Sequence, residues 1–194
     1  MPIRNPVELD QAVREASALI QEISDFVKAN PNHEARGRVR FPTGYFPTAA
    51  EHRRKLEFIA DRTVRKNLSY AIMTHDVLRW LVTRTTLSIQ AREMVIKEAI
   101  CLIGSVCETI SIWRGTEGLG RQRSYSDRMA RLRHLEVIDE DTETDLNWVW
   151  DIRCREHIAG VSVQEWNHYN MDQWRRSVRA YKALRDGLAE WQRR

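Results

Sequence analysis

Arg153 and His157 are the residues whose types and spacing point most directly to chemistry, in the segment Leu146-Asn-Trp-Val-Trp-Asp-Ile-Arg-Cys-Arg-Glu-His-Ile158. On a helix they stand one turn apart on one face, which sets a permanently charged, bidentate guanidinium beside an imidazole that titrates near neutrality. Such a pair suits metal-free phosphodiester cleavage. The imidazole would take or give a proton at a 2′-hydroxyl or leaving oxygen while the guanidinium stabilises the charge that develops on phosphorus. No cofactor and no metal is expected, since the six histidines are scattered and form neither HExxH nor a Cys/His zinc pattern. The same spacing also suits a purely structural pair, salt-bridged to an acid on a neighbouring helix.

The helix that must carry the pair can be drawn as a wheel turning about 100° per residue. With Leu146 at the origin, Val149, Trp150, Arg153 and His157 fall within about 60° of it, while Asp151, Arg155 and Glu156 point elsewhere. The two polar residues thus interrupt an apolar stripe. An unpaired buried charge costs several kcal/mol or more, so partners are required: internal acids, a watered cleft or a second protomer. The last of these leads to an expected homodimer.

Helical periodicity runs through most of the chain. Asn5 caps and Pro6 opens a first helix whose Leu9, Val13, Ala16, Leu19, Ile20, Ile23 and Val27 recur at three and four, ending before Asn30-Pro31. Residues 30–47 hold three prolines and two glycines and read as an extended connection, with a short strand-like turn at Val39 to Tyr45. Thr48 caps a second helix reaching about Arg65, and a third runs from about Leu68 to Leu81. Ser88 starts a longer helix that is apolar nearly all round, which places it at the centre of a bundle. Arg114 to Tyr125 is a glycine-rich basic loop, Ser126 caps a short helix, and another runs from about Glu140 to Ile158. Asn170 caps the last helix, whose Gly187 costs about 1 kcal/mol relative to alanine. The expected fold is an all-α, up-and-down helical bundle. It forms one domain over 1–194, with residues 1–66 supplying N-terminal helices and the connection and 67–194 the bundle core.

Composition bounds the partners. The chain has 194 residues, with 31 basic and 27 acidic side chains for a net charge of +4, so only the distribution of charge is informative. Arg114, Arg121, Arg123, Arg128, Arg131 and Arg133 against Glu117 and Asp127 concentrate +4 in one short stretch. Arg121, Arg123, Arg128 and Arg131 are accordingly expected to contact RNA phosphates, the alternative being a solvated face. Arg36, Arg38, Arg40, His52, Arg53, Arg54 and Lys55 interleave with Phe41, Tyr45 and Phe46, either to stack bases or to anchor the connection. The odd set Cys101, Cys107 and Cys154 lacks CxxC spacing and points to free thiols in a reducing cytoplasm. No apolar stretch approaches a membrane span, and no secretory apolar core is present.

The segment from Leu132 to Asp141, the Leu146–Ile158 stretch and the final helix with Val178-Arg-Ala-Tyr-Lys-Ala-Leu184 together resemble the C-terminal half of a HEPN-like helical domain. The resemblance spans about residues 90–190. It implies an up-and-down bundle that dimerises through the Arg/His helix and acts on or binds RNA, as a metal-independent endoribonuclease of a defence or toxin system with Arg153 and His157 catalytic. The family separates its Arg and His by four to six residues and follows the Arg with a polar residue. Here three residues intervene and Cys154 follows the Arg, a change that rotates the pair by about 100°. A second reading stays open: a non-catalytic interaction module that binds a partner protein, with Arg153 and His157 structural.

Overall fold

The computed structural model describes residues 2–40, 42–114, 124–156, 165 and 167–193. Among them the chain is all-helical, with seven α-helices, one 3-10 helix and no strand. Contacts divide it into two units, residues 1–45 and 46–194.

In the first unit, α1 (Pro6–Ala29) begins as its sequence dictates. The Asn5 side chain accepts from the Glu8 N–H, and proline occupies the first turn, where its missing donor costs nothing. The 3-10 helix Pro31–Arg36 follows directly, and residues 39, 40 and 42–45 form no strand, in contrast to the strand-like turn expected there. No residue of α1 is buried, and Leu9, Val13, Leu19, Ile20, Ile23 and Phe26 are exposed.

The second unit is a bundle of α2 (Ala49–Arg54), α3 (Arg62–Arg84), α4 (Ile89–Arg114), α5 (Tyr125–His134), α6 (Glu140–Cys154) and α7 (Met171–Trp191). Helix α4 packs against α3, α6 and α7 and is its centre. Its Ile96, Ala99, Ile100, Ile103, Val106 and Ile110 are buried, as expected for a helix apolar on more than one face. Caps set the frame. Thr48 and Glu51 form a reciprocal capping box on α2, Asp61 caps α3, Asp139 caps α6, and Asn170 with Gln173 forms a box on α7. The second expected helix is cut short: α2 stops at Arg54, and Leu56, Phe58 and Ile59 enter the core from the connection that Asp61 ends.

Two glycines permit close approach. A methyl group at Gly104 of α4 would sit 2.9 Å from Cβ of Arg153 on α6. One at Gly187 of α7 would sit 2.1 Å from the carbonyl oxygen of Val137, in the turn between α5 and α6. That turn closes α5 with two bonds, Glu136 N–H to Arg133 O (2.9 Å) and Val137 N–H to Leu132 O (3.0 Å), and holds Glu136 in the left-handed region at φ 55°. The link before α7 is tied to α4 by Lys97 Nζ, which donates to Glu165 Oε1 at 2.6 Å, and by the Asn167 N–H, which donates to Glu93.

Candidate functional site

Leu146, Val149 and Ile152 are the buried residues of α6, and Arg153 stands at the edge of that stripe rather than in its middle. Its guanidinium lies over the Trp150 ring, 5.0 Å from the centroid, and one terminal nitrogen is 3.5 Å from Glu108 Oε2 on α4. Trp150 stacks on Tyr125 of α5, with centroids 4.7 Å apart and planes 11° from parallel. Arg128 lies over the far ring at 5.7 Å and donates from Nε to Ser111 Oγ at 3.1 Å. Two guanidiniums thus attend one stacked pair of rings from α5 and α6, Arg153 at Trp150 and Arg128 at Tyr125. Side chains of Arg153 and Glu108 keep 29% and 28% of their surface, so the ion pair is partly wet. Arg153 Nε and the Tyr125 hydroxyl are buried without a hydrogen-bond partner among the described residues, and burial pushes the Tyr125 phenol well above its ordinary pKa.

The expected site residues meet different fates. His157, Arg121 and Arg123 lie outside the described residues. Helix α6 stops at Cys154 rather than continuing to Ile158. The Arg155 and Glu156 N–H groups bond three residues back, to Ile152 and Arg153, and exposed Cys154, Arg155 and Glu156 offer no apolar contact to prolong the helix. Arg128, expected to contact phosphate, is 3% exposed, and its Nε donates to Ser111 inside the bundle. Arg131 is half-buried and has no ion pair among the described residues, while Arg133 meets Glu143 at 2.5 Å. Leu146 and Val149 of the stripe pack inside the chain's own bundle.

A second constellation lies in the same unit. His52 of α2 and Asp76 of α3 are both buried and meet Nε2 to Oδ2 at 3.0 Å. A carboxylate only accepts, so Nε2 carries the hydrogen, and Nδ1 has no partner among the described residues. The other Asp76 oxygen is 3.5 Å from Arg79. One residue away, His75 Nε2 accepts from the Trp174 indole N–H of α7 at 2.8 Å with the rings nearly perpendicular, 81° apart. The indole is donor only, so His75 is neutral with its hydrogen on Nδ1. Burial, then the charges of Arg79 and His52, push His75 down to about 4. These side chains line a cavity of about 600 Å³ between α2, α3 and α7. Among the described residues no three His, Cys, Asp or Glu side chains gather to hold a metal ion.

No family model, no curated protein and no solved structure matches the chain.

The His52–Asp76 and His75–Trp174 contacts were not read from the sequence. One signal was available: Leu68, Ile72, His75, Arg79 and Val82 recur at four, three, four and three, which puts an imidazole at a core position of α3. Its partner, 99 residues later, carries no local mark.

Proposed function

We propose that the protein is a HEPN-like RNA-binding protein that cleaves RNA without a metal, with Arg153 and His157 at the site. The observation that carries this reading is the posture of Arg153. It is stacked on Trp150, held at a distance by one partly solvated carboxylate, and keeps N–H donors beyond that contact for a phosphate. Arg131 and the basic residues Arg121 and Arg123 of the sequence before α5 would add phosphate attraction, and the resemblance of residues 90–190 supplies the reaction class.

The test pairs RNA cleavage in EDTA with the thermal midpoint. His157→Ala should abolish cleavage while keeping much of the RNA affinity, because the imidazole moves protons and the arginines hold phosphate. Arg153→Ala should weaken both and cost about 1 kcal/mol of stability, since its ion pair with Glu108 is partly exposed.

A second reading, the protein-interaction module, is favoured by one specific fact. Arg128 and Arg153 both find partners inside the chain, Ser111 and Glu108, as architectural cations do. A wild-type chain that cleaves no RNA, with Arg153→Ala destabilised and RNA affinity unchanged, would select that reading.

A further inference from the structure

The cavity between α2, α3 and α7 is lined by six cations, Lys55, Arg79, Arg175, Arg179, Lys182 and Arg185, against a single carboxylate, Asp76. That carboxylate is already engaged by His52 and Arg79. Arg175 and Arg185 are partly neutralised by Asp172 and Asp186, at 2.9 Å and 2.7 Å. Lys55, Arg179 and Lys182 have no ion-pair partner among the described residues, and all three are exposed. Positive charge without an ion-pair partner among the described residues therefore meets at one concavity from the end of α2 and from α7. Its floor is apolar and aromatic, with Ile72, Ile103, Trp174 and Tyr181, and its two histidines each keep one ring nitrogen unengaged among the described residues.

The shape and chemistry define the ligand. A cavity of about 600 Å³ lies in the range of small-molecule sites, well beyond a lone inorganic anion. Guanidinium groups at several points around the wall suit an anion that spreads charge over several oxygens, which is what a phosphate chain does and a single carboxylate does not. The Nδ1–H of His75 adds a neutral donor, and the apolar floor leaves room for the uncharged part of the molecule. We propose that this cavity binds the phosphate of a nucleotide, either free or at the 5′ end of an RNA strand. The proposal uses neither Arg153 nor His157 and stands apart from the reading above.

Calorimetric titration of the full chain tests it with four probes: ADP, adenosine, and a short RNA carrying either a 5′-phosphate or a 5′-hydroxyl. ADP, the phosphorylated strand or both should bind saturably, one per chain, and each at least about tenfold more tightly than its phosphate-free counterpart. Which of the two binds identifies the source of the phosphate. The double variant Arg179→Ala/Lys182→Ala removes two exposed, unpaired cations, so its thermal midpoint should hold while affinity falls about tenfold or more. Arg14→Ala/Lys28→Ala removes the same charge from α1 and should leave affinity within about twofold of wild type. The proposal is overturned if neither phosphorylated probe binds, if the phosphate-free probes bind as well, or if the two double variants lose affinity alike.

Discussion

His75 makes the folded protein sensitive to acid. Its pKa in the fold is about 4 against an ordinary 6.5, so as pH falls the unfolded chain takes up a proton first. The stabilisation from keeping it neutral is complete above about pH 6.5, is lost progressively through that window, and is gone below about pH 4. The full shift corresponds to about 3 kcal/mol. Urea denaturation at pH 7 and pH 4.5 should show a steep loss for the wild type. His75→Gln, which offers an amide oxygen to the Trp174 indole but does not titrate, should flatten that slope; an unchanged slope would assign the acid sensitivity elsewhere. At this scale the sequence was partly legible. Cys101 and Cys107 pack inside α4 as free, small apolar groups, as their helical pattern indicated, and burial pushes the Cys101 thiol up to about 12. Arg128 was not legible as a core residue, because what buries it is Ser111 on another helix and the ring of Tyr125 beneath it.

Helix boundaries were legible wherever a cap is local. Asn5, Thr48, Asp139 and Asn170 each accept a backbone N–H within three residues, so the signal and the structure lie in the same short segment. The start of α5 shows the limit: Ser124 caps it through a box with Asp127, where Ser126 was expected, since both serines precede the same apolar pattern. Gly187 was read as a tolerated weakness, but the carbonyl of Val137 occupies the place of any side chain. Helix propensity alone would favour Gly187→Ala by about 1 kcal/mol. The contact reverses the sign, and a thermal melt should find this variant destabilised by about 1–3 kcal/mol, as for other overpacked sites. Glu136 offers the opposite case. Held at φ 55° where α5 ends, it occupies the position glycine favours, and Glu136→Gly should raise stability by about 1 kcal/mol in the same assay.

For the whole molecule, the fold class followed from periodicity, while the division into units did not. The apolar stripe of α1 has the same spacing as a core-facing helix, and nothing local distinguishes a stripe that is buried from one that is not. Among the described residues every buried apolar side chain lies between Leu56 and Leu188. A fragment of residues 46–194 should therefore unfold cooperatively with a midpoint within a few degrees of the full chain. A non-cooperative melt of this fragment would show that residues 1–45 contribute to the core after all.

The cavity that carries the cations has one wall from α3 and another from α7, joined at His75 and Trp174 across 99 residues of chain. Helices α3 and α4 are linked by only Thr85–Ser88, so their pairing closes a short loop. Docking α7 closes a long one, at a larger cost in chain entropy that must be met before its contacts form. The order of assembly follows: the α3–α4 hairpin early, the C-terminal helix late, and the binding surface last of all. In stopped-flow refolding, helical dichroism should recover before the capacity to bind the phosphorylated probe. During synthesis the same order leaves a nascent chain without this site until its last helix has been made.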